Sequence, residues 1–135
     1  MCLALYLFTD NHLDDVSFDP SDPAPHVRQL KEYEREVTAW VPGKLNIYYI
    51  GSSEQCGCGW RPAYEYDEED ELAAKTEDRE WLFRLLSAQD FSGAHLISCW
   101  EGDQGEEPDR SEVVDISTIR DLHFEFVEGT DYLIS

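Results

Sequence analysis

The sequence predicts an α+β fold: a single domain over residues 1–135, mostly antiparallel β-sheet, with one main helix packed on a face. Three observations carry this. Short segments rich in β-branched and aromatic residues are spread along the chain, and one longer stretch places apolar residues at helical spacing. Strands and helices do not alternate regularly, as a parallel sheet with crossover helices would require. No internal repeat or compositional break marks a second domain.

The elements follow in order. Residues 3–8 are a continuous apolar run, the pattern of a buried strand. Residues 9–25 carry three Pro and five Asp. Around Asp19-Pro20-Ser21-Asp22-Pro23 they read as loop, because Pro lacks an N–H donor and restricts the residue before it. Residues 26–30 form a candidate second strand. Residues 32–40 show helical spacing through Tyr33, Val37 and Trp40, and Pro42-Gly43 ends them. Residues 45–50, around Tyr48-Tyr49, are the strongest strand signal, closed by Gly51-Ser52-Ser53.

Residues 56–62 are a Gly-punctuated turn. The carboxylates of residues 65–71 suit the positive end of a helix dipole. The clearest helix spans residues 77–88, with Thr76 as N-cap and an apolar face of Trp81, Leu82, Leu85 and Leu86; a start near Glu69 is the alternative. Residues 95–100 form a strand and 101–112 a polar loop. Ser117 caps a single helical turn, residues 124–127 alternate as a half-buried strand, and Gly129-Thr130 leads into a last strand at 132–134.

Thirty Asp plus Glu against ten Lys plus Arg give a formal net charge of −20. Such a surface repels polyphosphate, so direct nucleic-acid binding and an anionic membrane surface are not expected. A basic protein or a divalent cation is the natural partner; the plainer alternative is a soluble surface from an acid-rich proteome. Hydrophobic residues at 41%, with aromatics at 13%, suffice for a packed core despite the charge. The cysteines are Cys2, Cys56, Cys58 and Cys99. No basic segment precedes the apolar start and no stretch is long enough to cross a bilayer, so reduced thiols in the cytoplasm are expected.

The loop from Gly51 to Trp60 carries the densest chemistry. Alternating glycines let backbone N–H groups turn into one concavity. Cys56 and Cys58 can share a soft metal or take part in thiol exchange. A zinc site needs four N or S donors, so Cys99 and one of His12, His26, His95 or His123 would have to join through the fold. The plainer alternative makes both cysteines small buried residues in a tight turn. Trp100-Glu101-Gly102-Asp103 adds two carboxylates at a strand end, a possible pair for a hard cation or for acid–base work. The candidate binding residues are Tyr49, Ser52, Cys56, Gly57, Cys58, Gly59, Trp100, Glu101 and Asp103. A small-ligand pocket between sheet and helix, rimmed by Tyr49 and Trp100, is a further option.

No Walker A, G-x-S-x-G, H-E-x-x-H or dinucleotide fingerprint occurs, so no catalytic residue and no cofactor are assigned. Cys2 after Met1 resembles the start of N-terminal-nucleophile hydrolases, but the chain is short for their layered fold, and Cys2 is expected to begin a buried strand. Tyr49-Ile50-Gly51-Ser52 resembles the second half of a GIY-YIG nuclease signature. The first half and the phosphate-holding Arg are missing.

Three segments together, Met1-Cys2-Leu3-Ala4, Tyr49-Ile50-Gly51-Ser52 with Cys56-Gly57-Cys58-Gly59-Trp60, and Cys99-Trp100-Glu101-Gly102-Asp103, are similar to a family of small uncharacterised bacterial cytoplasmic proteins. The resemblance covers roughly residues 1–110; residues 14–25 depart from it. It implies a shared site near the Cys-Gly-Cys-Gly loop and names no chemistry. The leading expectation is a non-enzymatic acidic protein engaging a basic protein partner, in the manner of immunity proteins or nucleic-acid mimics. The alternative is a thiol-centred metal or redox site built from Cys56, Cys58 and Cys99. Neither fixes an oligomeric state.

Overall fold

Strand β1 (Leu3–Thr9) is buried along its whole length because structure covers both of its faces. The structure, a computed structural model, describes residues 2–135. β1 lies inside a six-stranded sheet of order β2-β3-β1-β4-β6-β5. The other strands are β2 (His26–Gln29), β3 (Asn46–Gly51), β4 (His95–Trp100), β5 (Arg110–Val114) and β6 (Thr130–Ile134). Tyr6 sits opposite Tyr49 on one side and Ile97 on the other. Every neighbouring pair is antiparallel except β5 with β6.

Side chains alternate across β1. Leu3, Leu5 and Leu7 join a core with Trp60, Leu82 and Leu86, beneath helix α1 (Glu69–Ser87). Ala4, Tyr6 and Phe8 join a second core with Val37, Tyr49, Ile97 and Cys99. That side is covered by the 3₁₀ segment Glu32–Ala39 and by Trp40. Two cores explain why β1 reads as a continuous apolar run rather than an alternating one.

Several expectations need correction. Of the two starts left open for the helix the earlier one holds: it begins at Glu69, with Glu69, Asp70 and Glu71 in its first turn. Thr76 is interior and its hydroxyl donates back to the Leu72 carbonyl at 2.8 Å, so it is not a cap. The first half of the helix carries few large apolar residues, which hides it from a periodicity argument. The segment at 32–40 is 3₁₀ rather than α. β5 lies inside the expected polar loop; four of its five residues are exposed, as befits an edge strand, so no apolar pattern marks it. Ser117 is the donor rather than the cap of α2 (Ile116–Ile119): the Asp115 carboxylate accepts from its N–H at 2.8 Å and its hydroxyl at 2.7 Å.

Residues 124–127 are not a strand. They are irregular backbone held by side chains. The Tyr132 hydroxyl accepts from the Val127 N–H at 2.8 Å and donates to the Glu125 carbonyl at 3.1 Å. Arg79, 1% exposed, reaches from α1 into this region. Its guanidinium donates to the carbonyls of Trp60 (2.8 Å), Phe124 (2.6 Å), Ile119 (2.9 Å) and Asp121 (3.1 Å). One planar fork thus stands in for the ladder that this segment lacks.

Removing that fork leaves buried carbonyls without donors. Arg79→Met is expected to lower stability by roughly 3 kcal/mol or more, read as a shift of the urea midpoint. Arg79→Lys is expected to recover little of it, because an ammonium cannot span the four acceptors. A midpoint unchanged in Arg79→Met would show that the fork does not organise this region.

Candidate functional site: three thiols at the end of the central strands

The site begins where β3 stops. The buried Ser52 hydroxyl donates to the Cys56 carbonyl at 2.6 Å and accepts from the N–H groups of Gly59 (3.0 Å) and Glu54 (3.2 Å). The Ser52 N–H reaches the same Cys56 carbonyl at 2.9 Å. Gln55 completes the turn with φ 77°, the left-handed region. From α1, Asp78 accepts from the Ser53 N–H (3.2 Å) and hydroxyl (2.8 Å), and the Trp60 indole donates to the Ile50 carbonyl at 2.9 Å. The loop is pinned to the sheet at one end and to the helix at the other.

The middle of the loop is a 3₁₀ turn, Gly57–Trp60, whose Cys58 N–H points to the Cys56 sulfur at 3.4 Å. Both glycines are demanded by packing. A side chain on Gly57 would collide with the Leu3 carbonyl. One on Gly59 would lie 2.5 Å from Ser52 Oγ and 2.7 Å from Asp78 Oδ2. The turn is therefore seated on the first residues of β1. There the Cys2 carbonyl accepts from the Glu101 N–H at 2.7 Å.

This seating brings the sulfurs of Cys2, Cys56 and Cys58 within 4.8 Å of one another. All three are free thiols; Cys2 is exposed and the other two are half-buried. No His, Asp or Glu among the described residues joins the group at that radius. Cys99 does not join it either: opposite Ala4 in register, it is buried in the Tyr6–Ile97 core. The expected convergence of Cys56, Cys58 and Cys99 is thus corrected to Cys2, Cys56 and Cys58. Cys2 does not begin a buried strand but stands exposed just before one.

The thiols differ in acidity. Burial pushes Cys56 up to about 12. Burial also acts to raise Cys58, but hydrogen bonds from Cys56, from the Leu3 N–H and from Cys2, with the Arg61 charge, outweigh it and hold Cys58 below an ordinary thiol. Cys58 is the natural thiolate of the group, with its neighbours as donors. Cys99 is pushed up to about 12 by burial and by the carboxylates of Glu101, Asp103 and Glu34.

The other candidates divide by role. Ser52, Gly57 and Gly59 shape the loop. Tyr49, Cys56 and Glu101 line one groove of about 550 Å³, so the two motif loops do meet. No residue of α1 and no Trp100 lines this groove, so it is not the pocket expected between sheet and helix. The Arg28 guanidinium lies 3.8 Å from the centre of the Tyr49 ring and pairs with buried Glu34 at 2.5 Å. Glu34 also accepts from the Tyr6 hydroxyl and from the Lys31 N–H at 2.9 Å. Burial works to raise Glu34, but these donors hold it below the usual carboxylate range. Trp100 stacks beneath Arg61, 5.4 Å from the guanidinium carbon. Asp103 turns away, into a separate cavity with Cys99, Trp100 and Glu106.

No protein-family model, curated protein or solved structure matches this chain. Sequence reasoning missed Cys2 as a partner of the loop, because only the pairing of strands carries it there.

Gly57→Ala is expected to cost about 1–3 kcal/mol and to lift the turn from β1. Labelling should then lose the distinction between Cys58 and Cys56; retained distinction with unchanged stability would show that the close approach is dispensable. In the unaltered protein, the rate of alkylation by iodoacetamide against pH should reach half its maximum at Cys58 below the roughly 8.5 of a free thiol. Cys56 should lag to much higher pH. Equal midpoints at the two residues, read by mass spectrometry, would contradict the assignment of Cys58 as the thiolate.

Proposed function

We propose that this protein binds one soft metal ion through Cys2, Cys56 and Cys58. The observation that carries the reading is the approach of three reduced sulfurs to within 4.8 Å, drawn from segments far apart in sequence. Thiolates select soft and borderline ions, copper(I) and zinc among them, over calcium or magnesium. Cys58, held below an ordinary thiol, gives up its proton most readily of the three, and the entering ion displaces the protons that remain, so affinity rises with pH. The groups that fix the loop, Ser52 and Asp78 above all, hold the ligands in place much as the outer partners of metal ligands do. A net charge of −20 concentrates cations around the site.

The protein, loaded anaerobically with a soft metal ion and desalted, should retain one ion per chain by elemental analysis. Replacing Cys56 or Cys58 by Ser should weaken binding by an order of magnitude or more, whereas Cys99→Ser should leave it unchanged. Absence of stoichiometric metal at any pH up to 8 would overturn the reading.

The acidic surface supports a second reading, a non-enzymatic protein that engages a basic protein partner. Glu68, Glu69, Asp70 and Glu71 at the start of α1 are exposed, as are Glu106 and Glu107. Affinity capture at low salt that recovers no basic protein would end it.

A further inference from the structure

We infer that the ion is copper(I), held in a plane by three sulfurs, and that Cys2 is the ligand through which it enters and leaves. This rests on the three-thiol reading above and narrows it to one ion and one route. Three sulfurs no more than 4.8 Å apart define a triangle whose centre lies at most about 2.8 Å from each. Metal–thiolate bonds are ~2.3 Å long, so each sulfur need move inward by no more than about half an ångström to close a trigonal site. Small side-chain rotations of the three cysteines cover a shift of that size, most freely at Cys2, which is exposed.

A tetrahedral ion asks for more. Zinc in a closed site takes four N or S donors, and no fourth His, Cys, Asp or Glu among the described residues lies at the radius of the three sulfurs. Cys99, the remaining cysteine, is locked in the opposite core with its thiol proton held. The donor set is all sulfur, which favours the softest of the common ions. As the bonds form, each thiol still carrying a proton gives it to solvent. The copper enters and stays as copper(I), so no electron is exchanged.

The three ligands are also unequal in how they are held. Cys56 and Cys58 sit on a turn fixed by Ser52, Trp60 and the packing of Gly57 on Leu3. Cys2 precedes β1 and is open to solvent. The half-buried pair thus holds the ion while Cys2 closes over it or yields it, an arrangement suited to handing copper on rather than to locking a fold.

The test uses the full chain, reduced and kept anaerobic, titrated with copper(I) against a chromogenic copper(I) chelator and separately with zinc(II). The expected result is one copper(I) per chain, three sulfur neighbours at ~2.3 Å by X-ray absorption, and no displacement by excess zinc. Cys2→Ala, whose side chain lies outside the core, should still fold and bind copper(I), but lose it to the chelator at least tenfold faster. Zinc bound one to one, with copper(I) lacking a three-sulfur signature, would overturn the copper assignment and leave the three-thiol reading standing. Failure of both ions to bind would overturn both. Release from Cys2→Ala at the unaltered rate would overturn the role given to Cys2.

Discussion

Gly57 lies so close to the Leu3 carbonyl that no side chain fits between them, and the candidate site follows from that approach. The approach rests on the first residues of β1 being held in place. They are laddered to β4 and packed between two cores. Onto this fixed edge the loop after β3 is pressed by one buried hydroxyl, that of Ser52, which gathers the Cys56 carbonyl and two N–H groups around itself. With a side chain at 57 the turn would have to lift. With the turn lifted, Cys56 and Cys58 would have no reason to meet Cys2. Sheet, loop and thiols form one chain of dependence.

The way cations are used matters as much as the excess of acids. Arg79 is spent on four backbone carbonyls, and Arg28 on the buried Glu34 beside Tyr6 and Tyr49. Lys75 joins Asp67 at 2.7 Å to the Pro62 carbonyl at 2.9 Å, tying the segment before α1 to the helix itself. Three of the cations are thus placed on interior or half-buried acceptors, and most of the remaining carboxylates lie at the surface, where water screens them. The buried network also reaches the thiols. Gln104 donates to the Tyr6 hydroxyl at 3.2 Å and to Glu101 at 2.9 Å, and the Glu101 N–H holds the Cys2 carbonyl.

Much of the fold was legible because local chemistry and tertiary environment agree. β4 was expected at residues 95–100 and lies there, and β1 and β3 differ from expectation by a residue or so at their ends. These are inner strands, whose burial selects β-branched and aromatic side chains. The failures share a cause as well. β5 is an exposed edge and carries no apolar signature, while residues 124–127 alternate like a strand although their backbone is satisfied by Arg79 and Tyr132. Thr76 looked like a cap because residues 69–75 hold too little apolar area to announce a helix on their own.

The sequence by itself determined the fold class, the inner strands and the presence of a special loop at Cys56-Gly57-Cys58-Gly59, because each rests on short-range chemistry. What only the tertiary structure decided is the loop's partner. Cys99, beside a motif of its own, was the expected third thiol, yet the alternation of side chains on β4 turns it into the opposite core. Cys2 lies in a different motif segment, Met1-Cys2-Leu3-Ala4, and what joins it to the loop is position: it stands at the end of β1 on which Gly57 rests. Side-chain direction on a strand and the meeting of distant strand ends depend on register and packing, which no spacing of cysteines in the sequence encodes.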